Sequence, residues 1–396
     1  MWAGRHVVVG VTGGIACYKS CHLVRRFVEA GARVDVVMTR GAMEFVRPLT
    51  LEALSGRPVL TSLWEPDRAL AHVRLGQEAD LVVVAPATAH FLARLAHGFA
   101  DDFLTAMLLA RTGPALLAPA MNDEMFADRA TARNLAGLLE RGLLVVGPER
   151  GALAEGPSDR PGRMSEPETI FEHAWRAIAS RGPWRGRRVV VTAGPTRESI
   201  DPVRTISNRS SGRMGFRLAE AAWRRGAEVE LITGPSGLPD PVGVTVTRVE
   251  TTADLEAAVG AALPTADVLV MAAAPADYRP ATSSDAKRPR QDGPLSIELV
   301  PTNDILKATT PLRKRGMLVV GFALETGDAL AKARKKLEAK GLDLIVANDA
   351  TEPGAGFEVD TNRVAIVSRD GTTDVPLSSK ARVADAILDA VEARFG

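Results

Sequence analysis

The sequence has few cysteines, little net charge and no long apolar run, and each of these absences excludes a class of protein. Its two cysteines, Cys17 and Cys21, lie four residues apart on a predicted helix, which is the spacing of neither a disulfide framework nor a zinc site. The net charge of +1 gives no reason to expect a nucleic acid or an anionic membrane as a partner. No apolar run is long enough to span a bilayer, and we find no N-terminal signal sequence. We therefore expect free core thiols in a protein of the reducing cytoplasm.

The length and composition predict two globular domains. With 396 residues, the chain is too long for one ordinary hydrophobic core. Its 46% hydrophobic and 24% charged residues are typical of folded rather than disordered protein. A predicted helix over residues 166–180 is followed by the linker RGPWRGR, and a new apolar strand starts at Arg188. We place the two domains at residues 1–181 and 187–396.

The first half begins with the strand–helix–strand pattern of a doubly wound nucleotide-binding fold. Residues 6–12 predict a buried strand, the turn GGIA opens a helix that runs to about Glu29, and residues 33–39 predict the next strand. The turn is not G-x-G-x-x-G, and the second strand ends in Met-Thr-Arg with no acidic residue for a ribose diol. An NAD dehydrogenase is therefore a weak interpretation. Thr39 and the glycine turn suit a terminal phosphate better.

Later segments extend the same sheet. Residues 80–89 and 116–122 each predict a strand that ends in small and polar residues, a helix carries residues 98–102, and residues 142–146 predict a further strand. Polar groups at the carboxyl edge of a parallel sheet lie where α/β proteins bind ligands. Since the second half repeats this pattern, the predicted fold class is α/β, with two doubly wound, mostly parallel nucleotide-binding domains.

A long connection at residues 192–215 organises the second half. It joins an apolar strand to a predicted helix, and βα connections of roughly twenty residues are usually functional. Its glycines, serines and Asn208 offer backbone and side-chain donors just before a helix N-terminus, and its arginines can pair with phosphate or carboxylate. The alternative is a solvated surface loop with a Ser-Ser-Gly helix cap.

Other segments of the second half carry charge. A buried strand beginning near residue 267 leads to Asp277, which is either a metal-coordinating or sugar-binding carboxylate or a capping residue in a turn. The basic loop at residues 280–295 contains Lys287 and is either solvated or closes over a triphosphate. Lys336 and Lys340 share one helix face, which a solvated face explains equally well. Residues 351–357 predict a glycine-rich loop.

The long connection also carries a resemblance to a known family. The pattern GPTRE-x-x-DPVR-x-ISN-x-SSG-x-MG resembles the signature of phosphopantothenate–cysteine ligases. The resemblance implies that Lys287, ten residues after Asp277, is catalytic, that Asn208 holds the activated intermediate and that Arg204 binds substrate, with Mg²⁺ near Asp277. It implies these CTP-binding residues: Met271, Ala272, Ala273, Asp277, Lys287, Thr302, Asn303, Asp304, Ile305, Phe322, Lys336 and Lys340.

The first half resembles a second family, the flavin-binding cysteine decarboxylases, which are homo-oligomers that hold FMN. GGIA, MTR, APATA, ADDFLT and PAMN occur in that family's order. The resemblance implies that His72 lies beside the flavin, that Asn122 holds the substrate carboxylate and that a substrate flap ends at Arg163. A lone histidine on a strand edge, as we predict for His72, is more often structural. The implied FMN-binding residues are Gly13, Gly14, Ile15, Ala16, Thr39, Pro86, Ala87 and Thr88.

Two residues depart from that family's pattern. His90 stands where the family more often has Asn or Asp, and Glu155 replaces the flap cysteine that donates a proton. A thiol with a reference pKa of about 8.5 is protonated at neutral pH, whereas an exposed carboxyl at about 4.3 is not. Glu155 can therefore be the catalytic acid only where the flap desolvates it. The alternative is a solvated glutamate.

Together, the two halves resemble the bifunctional phosphopantothenoylcysteine decarboxylase/phosphopantothenate–cysteine ligase family of coenzyme A biosynthesis. The implied enzyme is a carbon–nitrogen ligase and a carboxy-lyase. It would join 4′-phosphopantothenate to L-cysteine with CTP through an acyl-cytidylate, then decarboxylate the product to 4′-phosphopantetheine with FMN. One alternative is a ligase whose FMN-binding domain is a catalytically silent scaffold, because Glu155 replaces the cysteine. Another is a flavoprotein decarboxylase that acts on a peptide cysteine.

Overall fold

The computed structural model describes residues 2–64, 70–179, 182–287, 289, 295–325, 329–349 and 359–395. Contacts divide the chain into two compact units, Met1–Ala179 and Ser180–Gly396. The predicted glycine-rich loop at residues 351–357 and part of the basic loop at 280–295 lie outside the described residues. Within the described ranges, no helix has the length and apolarity needed to cross a membrane.

The first unit is built on a five-stranded parallel sheet with the order β2-β1-β3-β4-β5. Its strands are β1 (His6–Val11), β2 (Arg33–Met38), β3 (Leu81–Ala87), β4 (Ala115–Pro119) and β5 (Leu144–Val145). Every residue of β1 and β3 is buried, because helices cover both faces of the sheet. Such strands are continuous apolar runs, which is why the sequence located them closely.

Eight helices surround this sheet. They are α1 (Cys17–Glu29), α2 (Pro48–Ser55), α3 (Ala71–Glu78), α4 (Ala89–Ala96), α5 (Phe103–Ala110), α6 (Asp123–Ala127), α7 (Arg129–Glu140) and α8 (Pro167–Ala179). The prediction that residues 98–102 are helical is wrong. Gly98 takes a positive φ of 73° just after α4, and Asp102 caps α5 with Thr105 in a capping box, so the segment between them is a loop.

The predicted flap at residues 147–164 is not wholly irregular. It contains an antiparallel hairpin of β6 (Glu149–Arg150) and β7 (Pro161–Arg163). Strands of two or three residues are too short to show an alternating pattern in the sequence, so the hairpin was not predicted.

The second unit has an eight-stranded sheet with the order β12-β11-β8-β13-β16-β17-β18-β19 and two small hairpins. Its strands are β8 (Arg188–Ala193), β9 (Arg197–Ser199), β10 (Thr205–Ser207), β11 (Glu228–Thr233), β12 (Thr245–Arg248), β13 (Val268–Met271), β14 (Tyr278–Pro280), β15 (Leu299–Pro301), β16 (Leu318–Glu325), β17 (Leu344–Asp349), β18 (Thr361–Val367) and β19 (Thr372–Ser379). The pairs are parallel from β12 to β17, and β18 and β19 add an antiparallel edge. The predicted α/β, mostly parallel fold class is confirmed.

The helices of the second unit are α9 (Arg213–Arg224), α10 (Thr252–Ala262), α11 (Ile305–Ala308), α12 (Ala329–Ala339) and α13 (Lys380–Glu392). The long connection between β8 and α9 folds into the antiparallel hairpin β9–β10 and returns at Gly215. A Cβ atom there would lie 2.5 Å from the Ala193 Cβ and 2.7 Å from the Thr192 carbonyl oxygen. Glycine is therefore required for α9 to start directly against the end of β8.

Candidate functional site

A cavity of about 1080 Å³ lies in the first unit at the carboxyl ends of β1, β3 and β4. The turn after β1, the start of α4, the turn after β4 and the flap surround it. Nine of the predicted site residues line this cavity together: Gly13, Gly14, Ile15, Ala16, Thr39, Thr88, Asn122, Glu155 and Arg163. Residues far apart in sequence thus meet at the sheet edge where doubly wound folds bind ligands.

The glycine turn after β1 is held tightly. A Cβ on Gly13 would lie 2.7 Å from the carbonyl carbon of Gly41, so the two backbones approach this closely only because Gly13 carries no side chain. The Thr12 hydroxyl donates to the Pro86 carbonyl oxygen at 2.7 Å and accepts from the Thr88 backbone N–H at 3.2 Å. Ala16 provides no side-chain cap for α1, and the backbone N–H groups of Cys17 and Lys19 donate instead to the carbonyl oxygens of Gly14 and Ala16, both at 3.0 Å.

The predicted flavin contacts at the end of β3 divide into two groups. Pro86 and Ala87 are buried within the strand and do not line the cavity, whereas Thr88, the next residue, does. Thr88 also caps α4 by accepting from the Phe91 backbone N–H at 3.4 Å. The buried pair therefore positions Thr88 rather than facing the cavity itself.

Apolar side chains form much of the cavity wall. Ile15 is 64% exposed, and Tyr18, Phe99 and Met125 are each exposed to half or more. Large apolar groups are usually covered in a folded domain, and such a group of exposed ones around a cavity is typical of a ligand site. A flat, mostly apolar ring system fits this wall.

Charged residues at the cavity are mostly paired. Lys19 is only 7% exposed, and its Nζ donates to Glu166 Oε1 at 2.9 Å and to the Met164 carbonyl oxygen at 3.3 Å. Arg163 also pairs with Glu166, and the hydrogen bond from Lys19 is the main cause of the lowered pKa of that carboxyl. These contacts tie the end of the flap to α1.

Asn122 has the free donor that its predicted role requires. It caps α6 through Oδ1, which accepts from the backbone N–H of Glu124 at 2.9 Å and of Met125 at 3.4 Å. No acceptor lies within hydrogen-bond distance of its Nδ2 group in the described part of the chain. The amide can therefore donate to a carboxylate placed in the cavity.

His72 is a further predicted site residue that does not line this cavity. It is the second residue of α3, so the prediction of a strand edge is wrong. The run AHVRL is too short for the sequence to distinguish helix from strand. Its ring packs edge-on against Phe103 with 6.2 Å between centroids, and Nδ1 is buried without a hydrogen-bond partner among the described residues.

The two departures from the family pattern both line the cavity. Glu155 lies on the flap and is exposed, so the flap does not desolvate it in this arrangement, and His90 is an exposed residue of α4. The cysteines do not line the cavity. The Cys17 thiol is buried and donates to the Thr12 carbonyl oxygen at 2.9 Å, and burial raises its pKa.

In the second unit, the hairpin β9–β10 is fastened to the end of β13. The Asn208 Nδ2 group donates to the carbonyl oxygens of Ala274 and Pro275 at 3.2 and 2.9 Å. The backbone N–H of Ala273 donates to Thr192 Oγ1 at 3.1 Å. The predicted ligase residue Asn208 thus lies beside the predicted nucleotide-binding segment that follows β13.

The basic loop is hydrogen-bonded to the turn between β9 and β10. The Ser284 backbone N–H donates to the Ile200 carbonyl oxygen at 3.1 Å, and this bond joins the loop to the hairpin three residues before Lys287. Thr302 Oγ1 donates to the Ala276 carbonyl oxygen at 2.6 Å. Lys287 and Asp277 are both exposed, so their charged ends are accessible to a ligand.

The remaining predicted nucleotide-binding residues vary in exposure. Met271 and Ile305 are buried, Ala272, Ala273 and Phe322 are half-buried, and Asn303 and Lys336 are exposed. Asp304 caps α11, and Lys340 Nζ lies 3.1 Å from its Oδ2. Lys340 therefore has a protein partner, and it is not simply on a solvated helix face.

Arg204 has a partner that the sequence analysis missed. Its Nε donates to Asp201 Oδ2 at 2.9 Å, and its backbone N–H donates to Asp201 Oδ1 at 2.9 Å. The Asp201 side chain is fully buried, so the pair fixes the turn between β9 and β10. The motif DPVR contained the signal, since aspartate before proline often closes a turn.

The expected Mg²⁺ has no ready-made cage. Of the residues that the structure describes, no three histidine, cysteine, aspartate or glutamate side chains form a group able to hold a metal ion. Asp277, the residue near which the metal was expected, is exposed.

Comparison with known proteins identifies both halves. Residues 1–178 match the family model described as flavoprotein, and residues 184–395 match the DNA/pantothenate metabolism flavoprotein C-terminal domain. The chain is similar over nearly its whole length to proteins named coenzyme A biosynthesis bifunctional protein CoaBC. Identity is 44% to that of Vibrio cholerae (98% of this chain, 97% of the relative), 45% to that of Bacillus subtilis (99% and 98%) and 48% to that of Mycobacterium tuberculosis (98% and 96%).

These relationships confirm the prediction of a bifunctional enzyme of coenzyme A biosynthesis with a ligase and a flavoprotein decarboxylase in one chain. They do not favour the alternative of a catalytically silent first domain. The chain belongs to the family of coenzyme A biosynthesis bifunctional proteins.

Proposed function

We propose that residues 187–396 join 4′-phosphopantothenate to L-cysteine with CTP through an acyl-cytidylate, and that residues 1–181 decarboxylate the product to 4′-phosphopantetheine with FMN. The first reaction releases pyrophosphate and then CMP as the cysteine amine forms the amide. The second releases carbon dioxide. The observation that supports the ligase assignment is that Asn208 is hydrogen-bonded to the segment after β13 and that the Lys287 loop is hydrogen-bonded to the turn of the adjacent hairpin at Ile200.

In the ligase, the proposed roles follow from charge and donor geometry. Lys287 stabilises the phosphate charge that develops as the acyl-cytidylate forms or breaks. Asn208 holds the activated intermediate, and its two bonds to backbone carbonyls fix the direction of its side chain. Arg204, whose guanidinium is oriented by Asp201, supplies positive charge for a substrate anion.

Magnesium would enter with the triphosphate rather than occupy a protein cage. Mg²⁺ commonly binds through one or two carboxylates and substrate phosphates and keeps several waters. The exposed Asp277 is the proposed carboxylate. The preference for CTP over ATP follows from the family resemblance, and the experiment below includes both nucleotides.

In the first unit, the cavity fits FMN. The glycine turn, Thr39 and Thr88 would bind its phosphate, and the apolar wall around Ile15 would contact its ring. Bound FMN would supply two-electron chemistry at the cysteinyl thiol. Asn122 would hold the carboxylate that is lost, and Arg163 would join the flap to it.

His72 requires more than one copy of the chain to act at a flavin. In its own unit it does not line the cavity, and the homo-oligomer that we propose would bring α3 of one copy to the cavity of another. We also propose that the enzyme works in the cytoplasm on small-molecule substrates, without a nucleic acid or a membrane as partner.

The direct test follows both half-reactions in the full-length protein. Purified protein receives 4′-phosphopantothenate, cysteine and either CTP or ATP, and pyrophosphate, carbon dioxide and flavin absorbance are measured. We expect pyrophosphate with CTP, followed by carbon dioxide, from a yellow protein. Pyrophosphate without carbon dioxide would support the scaffold alternative, and a colourless protein that FMN cannot reconstitute would exclude the flavin assignment.

A further inference from the structure

Loss of carbon dioxide creates a demand for a proton inside the cavity. When the bond from carbon to the carboxylate breaks, its electron pair stays on the organic product, and that product must accept a proton on carbon before it is released. The donor must therefore reach the cavity and hold a proton near neutral pH. This inference rests on the decarboxylase proposed above.

The histidines are the first side chains to consider, because imidazole is the side chain that ordinarily titrates near neutral pH. All six occur in the first unit, and His90 is the one that lines the cavity. His6 is buried at the start of β1 and bonded to Asp35 at 2.7 Å. His173 is on α8, where burial lowers its pKa to about 4. His22 and His97 lie outside the cavity lining, and His72 would reach a cavity only from another copy, where its proposed place is beside the flavin.

Several charged groups lie near His90. The histidine is close enough to Asp101 to contribute to the lowered pKa of that carboxyl, whose largest cause is the hydrogen bond from Arg94. Arg94 is paired with both Asp101 and Asp102, so its charge is already compensated. The flap, which also lines the cavity, contributes the carboxylate of Glu155 and the paired Arg163.

Positive charge also lies near the cavity. The N-terminus of α4 presents a partial positive charge near His90, an effect that falls off within the first turn and in solvent. Lys19, which is paired with Glu166, and Arg40 both line the cavity. His90 is exposed, so it can also take a fresh proton from water after each turnover.

We propose that His90 is the catalytic acid that protonates the decarboxylated product. An N–H bond of the imidazolium breaks, a C–H bond forms on the product, and the ring is left neutral until water reprotonates it. The ring undergoes no redox change. Glu155 then acts as the carboxylate that stabilises the imidazolium when the flap covers the cavity.

Chemical rescue tests the proposal on the full-length protein. His90→Ala should lower carbon dioxide release or completion of the product by about 10²- to 10³-fold, as expected for loss of a general acid, while flavin absorbance and CTP-dependent pyrophosphate release stay at wild-type levels. Added imidazole should restore activity in proportion to its protonated form. The matched control is His97→Ala, since His97 is the C-cap residue of the same helix, α4. This variant should keep its activity and show no response to imidazole.

A second measurement does not depend on turnover. In an NMR titration of the histidine ring signals, the signal that is absent in His90→Ala identifies the His90 ring. The pKa read from that signal should be lower in Glu155→Gln than in the wild type. Full activity of His90→Ala, or a loss that imidazole does not restore, would overturn the proposal. Loss in Glu155→Gln with none in His90→Ala would assign the proton to Glu155 instead. A wild type that never releases carbon dioxide would remove the decarboxylase itself, and that result is distinct because it appears before any substitution.

Discussion

The two units share one architecture and divide the chemistry between them. The first is built on a parallel sheet and the second on a mostly parallel one, and each has a short antiparallel hairpin, β6–β7 or β9–β10, in a connection at the carboxyl edge. The first unit holds all six histidines and both cysteines, and nine of its predicted residues line one cavity. The second holds none of these residues, and its predicted residues meet through hydrogen bonds at strand ends. The comparison shows that the reaction follows from the loops at the sheet edge rather than from the sheet.

The difference matches the two kinds of reaction. Proton transfer near neutral pH needs imidazole or a shifted acid in a site that excludes water. Nucleotidyl transfer needs fixed positive charge and amide donors around phosphates, and Lys287 and Asn208 are the groups that we propose for this role. Substitutions should therefore disable one half of the enzyme and leave the other active.

The largest expected effect is a loss of ligation in the second unit with no loss of decarboxylation in the first. Lys287→Gln should lower CTP-dependent amide formation by about 10²- to 10³-fold, because the charge that stabilises the transition state is lost. The residue is exposed, so the fold should survive. Decarboxylation of added phosphopantothenoylcysteine should be unchanged, and Lys335→Gln, an exposed lysine of α12, serves as the control. Equal ligation by Lys287→Gln and wild type would place the catalytic charge elsewhere.

The next largest expected effect is a loss of flavin binding in the first unit with no loss of ligation in the second. Gly13→Ala places a Cβ 2.7 Å from the Gly41 backbone, so the turn must open and flavin affinity should fall by about tenfold or more, which corresponds to roughly 1.4 kcal/mol. Flavin content and Kd are measured by absorbance and fluorescence, and ligation should be intact. Gly137→Ala, where a Cβ would meet nothing within 4 Å, is the control. A Gly13→Ala protein that binds FMN normally would show that this turn is not the phosphate site.

A smaller effect is expected at the flap. Glu155→Gln should slow decarboxylation by about 3- to 10-fold, because an exposed carboxylate stabilises a neighbouring imidazolium by roughly 1 kcal/mol. Glu155→Cys places a thiol at the position of the family's proton donor and should restore or exceed the wild-type rate. The rates are compared across pH with added substrate. A loss in Glu155→Gln as large as that in His90→Ala would make the carboxyl itself the acid.

The smallest effect concerns stability and only the first unit. The pKa of His173 is about 4 in the folded chain because burial disfavours its charged form, against about 6.5 unfolded. Above pH 6.5 both states are neutral and the group contributes nothing. As the pH falls from 6.5 to 4, the unfolded state takes up the proton first, so the free energy of unfolding decreases, by at most about 3 kcal/mol before solvent screening.

Denaturant unfolding at pH 7 and pH 4.5 measures this term. His173→Gln should flatten the decrease for the first unit and leave the second unit's transition unchanged, and the exposed His97→Gln should behave as wild type. An unaltered pH dependence in His173→Gln would show that other groups govern the acid stability of this unit.

The sequence by itself determined the long elements of both sheets. Its predictions for β1 (6–12), β2 (33–39), the end of α1 near Glu29 and the start of β8 at Arg188 agree with the structure to within one residue, because buried parallel strands are continuous apolar runs. The motifs also led directly to the residues that meet at the cavity. Short hairpins escaped prediction, because two or three residues carry no readable period.

Only the tertiary structure decided which of these residues face a ligand. Pro86, Ala87 and Thr88 are adjacent in sequence, yet only Thr88 lines the cavity, because β3 ends one residue earlier. His72 and His90 looked alike as lone histidines, but one packs on Phe103 and the other opens into the cavity. Exposure to a site depends on where each strand ends and on what packs behind it, and these are contacts between segments that no local pattern records.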